Sequence, residues 1–155
     1  MTMSNQEYRV GETVTVHLRR TNTHGSACML SRVPAGAVTL LSLTRDGAAV
    51  QPSIGAARHY RSFPAYLVEN LVSVPPGGSL DLALPSDPDT PTGPALATTA
   101  TDGRGGALVT WWPVTEPGSY QITVGYLRPP LPGVPPDTCA AAMEQATATF
   151  SVRAG

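Results

Sequence analysis

The stretch PGSYQITVGY, residues 117–126, decides the fold class of this chain. A proline-glycine turn leads directly into an alternation in which Tyr120, Ile122, Val124 and Tyr126 share one face. A two-residue period predicts a half-buried β-strand, because successive side chains point to opposite faces of a sheet. A tyrosine placed just after such a turn is typical of a corner that its hydroxyl ties to the backbone while its ring packs inside. We therefore expect a structural role for Tyr120.

The same alternation predicts further strands along the chain. Their inward-facing apolar residues are expected to be Val14, Val16, Leu18, Leu80, Leu82, Leu84, Ala148, Phe150 and Val152. Residues 38–44 form another β-rich run, in which the Leu40-Leu41 pair interrupts the alternation in the manner of a bulge. Asp46-Gly47 then supplies a hairpin turn, and a short strand should follow at 48–51.

Three other segments complete the predicted organisation. Residues 67–74 are expected to form a strand, which the turn at 75–78 joins to the alternating leucines as an antiparallel pair. Residues 85–106 contain almost nothing to bury, so a long mobile loop is predicted there. The alanine-rich segment 139–144 favours a turn or two of helix.

Many short strands separated by turn signals indicate an all-β protein. Proline and glycine are abundant, with 16 and 15 residues, which disfavours long helices. Seven to nine such strands are typical of an immunoglobulin-like antiparallel β-sandwich. With 155 residues, the chain is expected to form one such domain over 1–155, with the 85–106 loop as an insertion.

The composition limits the classes of partner. The formal net charge is −1, so no net field draws the chain to nucleic acid. No apolar run approaches the ~20 residues that span a bilayer, and the polar start, residues 1–7, lacks the features of a signal peptide. Either the chain stays inside the cell or a leader has been removed. All of its basic residues are arginine, which fits the G+C-rich coding of some bacteria better than any mechanism.

Four motifs occur in an order that resembles a known domain. They are YRVGETVTV at 8–16 followed by Asn22, LTRDG at 43–47, YLVENLVSVPPGGSL at 66–80 and PGSYQITVGY at 117–126. Together they resemble the non-catalytic β-sandwich domain that precedes the catalytic domain of deuterolysin-type zinc endopeptidases. The Pro-Gly-Gly-Ser turn is also similar, more weakly, to that of small bacterial intracellular proteinase inhibitors.

The resemblance implies a fold and, at most, a pro-domain-like or inhibitory role. This chain departs from the peptidase pattern through the segment 85–106 and because no protease domain follows residue 155. No catalytic residue can therefore be carried over from the family.

The sequence contains none of three common catalytic or phosphate-binding motifs. A zinc protease needs two histidines one helical turn apart with a glutamate between them, but His17, His24 and His59 lie in unrelated segments. No Gly-x-Ser-x-Gly elbow occurs, and the glycines of 103–106 lack the lysine of a phosphate-binding loop. We expect no catalytic residues, no metal ligands and no cofactor.

Acidic residues in the 85–106 segment are a weaker candidate for metal binding. Asp87, Asp89 and Asp102 could offer oxygens to calcium, but their spacing matches no calcium loop. Solvated loop charge is the simpler interpretation.

The two cysteines predict a cross-link between loops. Cys28 follows the first clear strand and Cys139 precedes the last one, and the connections at these points lie at one end of an immunoglobulin-like sandwich. A disulfide that closes about 110 residues contributes roughly 4 to 5 kcal/mol in the chain-entropy model. The alternative is a pair of reduced thiols, as a cytosolic protein would hold. A disulfide would favour a secreted or cell-surface location.

The same end is the candidate binding surface. Prolines ordered in advance lose little entropy on docking, which suits recognition of a protein. The candidate segments are 32–35, the proline-rich loop 127–136 and, in addition, 60–66. The candidate contact residues are Arg32, Val33, Pro34, Leu127, Arg128, Pro129, Pro130, Leu131 and Val134. The alternative is a stiff loop that only covers the end of the sandwich.

Trp111 and Trp112 are adjacent on a predicted strand, so one should face inward and the other outward or onto the 85–106 loop. An outward Trp111 is a further candidate anchor for a partner, whereas packing beneath the loop is the structural alternative.

These observations favour a non-enzymatic protein-binding module with an unknown partner. A proteinase inhibitor or pro-domain-like partner of a protease is the first alternative. A structural subunit of a surface layer or filament, which self-associates by pairing exposed strand edges, is the second.

Overall fold

A computed structural model describes residues 2–3, 6–58, 61–137, 139 and 142–155. In these ranges the chain forms one short helix and thirteen strands. The strands are β1 (Thr2–Met3), β2 (Gln6–Arg9), β3 (Thr15–Thr21), β4 (Cys28–Ser31), β5 (Val38–Arg45), β6 (Ala48–Ala49), β7 (Ser53–Arg58), β8 (Leu71–Val74), β9 (Ser79–Asp87), β10 (Ala95–Thr101), β11 (Ala107–Pro113), β12 (Gly118–Tyr126) and β13 (Glu144–Arg153), and the helix is α1 (Phe63–Glu69).

The strands assemble into two large sheets and one small one. The six-stranded sheet has the order β1-β3-β9-β10-β11-β7, the five-stranded sheet has the order β2-β13-β12-β5-β6, and β4 pairs with β8. All pairings are antiparallel except that of β2 with β13, which is parallel. The prediction of an all-β protein is confirmed.

One hydrophobic core receives side chains from both large sheets. Every predicted inward-facing residue of β3, β12 and β13 is buried there, and so are Leu82 and Leu84 of β9, while Leu80 packs against its margin. The two-residue alternation therefore identified the core faces of these four strands, because a half-buried strand must place its apolar residues on one side.

The predicted hairpin at 38–51 is present, with a shorter second strand. Arg45 pairs with Ala48 across a two-residue turn in which Asp46 and Gly47 both have positive φ, 50° and 83°. That conformation explains the Asp-Gly sequence. The register of β5 against β12 skips Leu41, which is 40% exposed, so the Leu40-Leu41 pair marks a bulge.

The prediction of a strand over 67–74 is wrong in its first half. Helix α1 occupies Phe63–Glu69, with Ser62 as its N-cap and Pro64 in its first turn. Phe63 and Leu67, one helical turn apart, are buried in a second small core. Only Leu71–Val74 forms a strand, and it pairs with β4, whereas β9 pairs with β3. The expected antiparallel pair of 67–74 with 79–84 is therefore not formed.

The prediction of one long loop over 85–106 is also wrong. Strand β9 continues to Asp87 and β10 occupies Ala95–Thr101, where it pairs with β11 along its whole length. Ala95 and Leu96 are fully buried. Small alanine and threonine side chains suffice here because β11 supplies the larger residues opposite them.

Two smaller expectations also need correction. The count of thirteen strands in the described ranges exceeds the predicted seven to nine, since several strands have only two to four residues. Glu144 begins β13 instead of ending a helical turn, and residues 140 and 141 of the segment 139–144 lie outside the described residues. No helix in the described residues is long and apolar enough to cross a membrane.

Candidate functional site

The predicted pairing of the cysteines is confirmed. Cys28, the first residue of β4, is bonded to Cys139 with 5.7 Å between their Cα atoms. Both residues are buried, at 1% and 4% exposure. The bond joins β4 to the segment that precedes β13, although these residues are separated by 111 positions in sequence.

A buried asparagine organises the backbone around the disulfide. Asn22 has no exposed surface, its Nδ2 donates to the carbonyls of Ser26 and Val74 at 2.9 Å, and its Oδ1 accepts from His24 N. That oxygen also lies 3.6 Å from Cys28 Sγ and 3.7 Å from Cys139 Sγ. These are van der Waals contacts in the oxidised protein, because bonded sulfurs carry no proton to donate.

Arg128 and Asp137 fasten the base of the proline loop, residues 127–136. The Arg128 guanidinium is buried and donates to Met29 O at 3.2 Å and to Pro135 O at 3.3 Å. Its Nη1 lies 3.6 Å from Asp137 Oδ2, which accepts from Met29 N at 2.8 Å. The two ends of the loop are therefore bound to each other and to the residue that follows Cys28.

The tip of the proline loop is a defined turn. Val134 N donates to Leu131 O at 3.3 Å, and Gly133 has a φ of 73°. Proline followed by a glycine with positive φ is the signature of a type II turn, in which Pro132 occupies the first central position. Leu131 packs against the second core, as does Tyr66 of α1. The loop is thus held at its base and at its flank.

The structure divides the predicted contact residues by exposure. Arg128, which we expected to face a partner, is buried and bonded within the chain, because its donors satisfy loop carbonyls. Among the other predicted positions, Arg32 and Pro130 are exposed, whereas Val33, Pro34, Leu127, Pro129, Leu131 and Val134 are partly buried. Pro132 and Gly133, at the tip of the predicted loop 127–136, are exposed as well.

The segment that holds Arg32 approaches the proline loop through α1. Arg32 N donates to Asn70 O, and Arg32 Nε donates to Asn70 Oδ1 at 3.1 Å. Ala35 packs in the second core together with Leu131. The candidate segments 32–35 and 127–136 therefore both pack against the second core, to which α1 contributes Phe63 and Leu67. Tyr60, which opens the third candidate segment, lies outside the described residues.

The two tryptophans are both partly buried on β11. Trp112 packs against the main core. The ring of Trp111 covers Gly55 of β7, since a Cβ at Gly55 would lie 2.9 Å from it. In the described residues neither buried indole N–H has a hydrogen-bond partner. Trp111 thus packs on an edge strand instead of beneath a loop.

Tyr120 makes the contact expected of a corner. It is 1% exposed, its hydroxyl donates to Glu116 O at 2.8 Å, and its ring stacks on Phe150 with centroids 4.9 Å apart. Burial raises the pKa of Tyr120, and the nearby Arg45 opposes that shift. The hydrogen bond joins the turn at 116–119 to the core.

A second buried arginine, which sequence reasoning missed, lies at the same end. Arg20 Nη2 is 3.0 Å from Glu144 Oε1, and the guanidinium lies 5.8 Å from the ring centroid of Tyr126. The Tyr126 hydroxyl donates to Ser31 O at 2.9 Å. The sequence carries the signal for this burial, because Arg20 continues the inward-facing alternation of residues 14, 16 and 18.

The unfolding free energy of the Tyr126→Phe variant is expected to fall less steeply with rising alkaline pH than that of the wild type. Burial raises the pKa of Tyr126 from 10.0 to about 12. The unfolded chain therefore releases this proton first, so the stabilisation is complete below pH 10 and lost as the pH rises through about 12. A shift of about two pKa units corresponds to roughly 2 to 3 kcal/mol.

Urea denaturation between about pH 9 and pH 12 measures this effect. The chain contains no lysine, so tyrosines dominate its titration in that range. Tyr126→Phe should show a shallower decline of unfolding free energy than the wild type. An identical decline in both proteins would contradict the assignment.

A cleft of about 260 Å³ opens where β10 leaves β9. Ser86 N donates to the carbonyl of Val14, the residue before β3, so by alternation the nitrogen of Pro85 faces β10, where it has no proton to donate. Pairing of β9 with β10 accordingly covers only Asp87 and Ser86. The residues that line the cleft include one carboxylate, Asp87, and neither histidine nor cysteine. Those residues supply no pair of groups for acid-base or nucleophilic catalysis.

Comparison with protein-family models, with curated proteins and with solved structures finds no match to this chain. The resemblance to the deuterolysin-type domain therefore stays a prediction from its motifs.

Proposed function

We propose that this chain is a non-enzymatic protein-binding module of immunoglobulin-like sandwich fold, which engages a partner protein through the proline loop. The observation that carries the proposal is the buried guanidinium of Arg128, which joins one end of the loop to Pro135 and Asp137 at the other end and to Met29 of β4. Burying a charge costs desolvation free energy, and apolar residues would cover the end of a domain without that cost. A buried charge with three partners does, however, hold the loop in one conformation. A loop that is already ordered loses little entropy on binding.

Three features support the immunoglobulin-like assignment. Both large sheets contribute to one core, most strand pairs are antiparallel, and Tyr120 bonds to the backbone four residues upstream. In such domains the loops at one end of the sandwich commonly form the binding surface. The disulfide supports a secreted or cell-surface location, because such bonds persist in oxidising compartments.

The exposed part of the loop has the chemistry of a contact surface. Pro130 and Pro132 are exposed, and Leu131 and Val134 between and beside them are partly buried. Rigid apolar side chains of this kind add contact area without a large loss of rotamer entropy. We therefore assign the partner contact to residues 130–134.

A matched pair of double variants tests the proposal. Pro130→Asp/Pro132→Asp places two charges on the loop tip, whereas Pro91→Asp/Pro117→Asp places the same charges on exposed prolines of two other turns. Each tagged protein is used to isolate partners from cells of the source organism, with quantitative mass spectrometry as the readout. We expect the wild type and the control variant to enrich the same protein. Enrichment of that protein by the loop variant should be at least tenfold lower. Equal enrichment by both variants would refute the assignment of the loop.

A second candidate function is inhibition of a proteinase. The proline loop supports an inhibitory function, because a proline-rich segment that is bonded at its base resists the extended conformation that cleavage requires. The family resemblance supports the same direction. Titration of metallo- and serine proteinases with micromolar wild-type protein, with both double variants beside it, tests this function. Inhibition that the loop variant alone loses would support it, and full protease activity throughout would exclude it for the enzymes tried.

A further inference from the structure

Four potential metal-ligand atoms converge on the Cys28–Cys139 bond. The ligand atoms of Cys28, Cys139 and Asp137 lie within 4.8 Å of one another. Asn22 Oδ1 is in contact with both sulfurs, at 3.6 and 3.7 Å. They come from three separate segments of the chain, and their backbone positions are held by β4, by the Arg128 network and by the hydrogen bonds of Asn22.

We propose that this cluster is a redox-controlled zinc site: after reduction of the disulfide, Cys28, Cys139 and Asp137 bind one Zn²⁺ ion, with Asn22 Oδ1 as the fourth ligand. The disulfide and the metal are then two mutually exclusive states of one pair of cysteines. This inference goes beyond the proposed function and does not depend on the partner of the proline loop.

The distances fit a tetrahedral ion. Zinc binds thiolate sulfur at about 2.3 Å and oxygen at about 2.1 Å, so a tetrahedron places sulfur and oxygen ligands about 3.6 Å apart. Asn22 Oδ1 already lies at that separation from both sulfurs. The same tetrahedron requires the sulfurs to be about 3.8 Å apart, so they separate once the bond between them is broken.

The oxygen ligands keep electron pairs free for a metal. Within the described part of the chain, the hydrogen bond to Asn22 Oδ1 comes from His24 N. Each Asp137 oxygen accepts one backbone N–H, from Cys139 for Oδ1 and from Met29 for Oδ2. A carbonyl or carboxylate oxygen has two lone pairs, so these hydrogen bonds orient the ligands without occupying them fully.

The charges also balance in both states. Arg128 and Asp137 neutralise each other in the oxidised protein. In the metal-bound protein, two positive charges from zinc and one from Arg128 match two thiolates and one carboxylate. A buried site with no net charge avoids the desolvation penalty of an unpaired ion. Arg128 therefore supports the metal-bound state instead of opposing it.

The conversion is a two-electron reduction followed by proton release. Two molecules of a thiol reductant break the Cys28–Cys139 bond, which gives two protein thiols and one disulfide of the oxidised reductant. Zinc then displaces the two thiol protons, which pass to solvent. A small-molecule disulfide reverses the step: it takes the two electrons from the two cysteine thiolates and becomes two thiols, the Cys28–Cys139 bond re-forms, and the zinc ion is released.

Titration with Co²⁺, a spectroscopic substitute for zinc, tests the site. The full chain is reduced with a phosphine, which becomes the phosphine oxide, and the excess is removed under argon. We expect one Co²⁺ per chain with a thiolate-to-metal charge-transfer band, and displacement of that band by one equivalent of Zn²⁺. The oxidised protein should show no band. Zn²⁺ should also raise the Tm of the reduced protein only, because a ligand that binds the folded state stabilises it.

Variants separate a built site from two reactive thiols. Cys139→Ser should abolish the charge-transfer band, and Asp137→Asn should weaken Co²⁺ affinity at least tenfold. Asp81→Asn, which changes an exposed carboxylate, should bind like the wild type. The proposal is overturned if reduced wild-type protein shows no band. It is equally overturned if Asp137→Asn binds as tightly as wild type, since thiols of a loosened chain bind metal without that carboxylate.

Discussion

The double variant Cys28→Ala/Cys139→Ala is expected to lose about 4 to 5 kcal/mol of unfolding free energy relative to the oxidised wild type. The disulfide joins residues 111 positions apart, and a closed loop of that size removes much of the conformational freedom of the unfolded chain. Because both cysteines are buried, alanine also leaves two small gaps in the core. For a domain of this size the Tm should fall by about 10 to 20 °C.

Urea denaturation followed by the fluorescence of Trp111 and Trp112 measures this loss. Wild-type protein unfolded with a reductant and a metal chelator serves as the control, because reduction removes the same constraint without changing a side chain. A double variant within about 1 kcal/mol of the oxidised wild type would contradict the prediction.

The second large effect is expected from Arg128→Met. The substitution keeps most of the side-chain volume but leaves the Asp137 carboxylate without its opposite charge and the carbonyls of Met29 and Pro135 without a donor. Removing one partner of a buried ion pair typically costs 3 to 5 kcal/mol. The Asp137 side chain is 24% exposed, and water lowers that cost, so we expect a loss of about 2 to 4 kcal/mol.

A double-mutant cycle with Asp137→Asn isolates the pair. Asp137→Asn removes the charge that Arg128→Met leaves unpaired, so the double variant should lose less stability than the two single variants added together. A coupling of at least about 1 kcal/mol is expected from urea denaturation. Strict additivity, or a negligible effect of Arg128→Met, would show that the buried guanidinium does not fasten the loop.

Sequence reasoning identified the core strands where one face is buried. In β3, β9, β12 and β13 the alternation follows directly from the pleat, and Asp46-Gly47 has only one favourable turn conformation. Prediction from the sequence fails where a segment is compatible with both a strand and a helix. Tyr66 and Val68 favour strands by propensity, but the buried pair Phe63 and Leu67 and the Ser62 cap stabilise a helix. The Ser62-x-Pro64 signal was present and was overlooked.

The candidate site was predictable only in outline. The pairing of Cys28 with Cys139 is predictable because the connections that hold them lie at the same end of a sandwich. The proline loop is predictable from its composition. The burial of Arg128 is not, because its partners Met29 O, Pro135 O and Asp137 come together only through the fold. A loop arginine is expected in solvent unless such partners are known.

Photo-crosslinking in living cells tests the central claim, that the proline loop is the surface that meets a partner. A photoreactive amino acid is placed at Pro132, on the tip of the proline loop, which follows β12. In the control variant it is placed at Pro117, an exposed turn proline that precedes β12. We expect irradiation to join the Pro132 variant to one discrete partner protein and to leave the Pro117 variant uncoupled. Coupling of the same protein through both positions, or through Pro117 alone, would contradict the account.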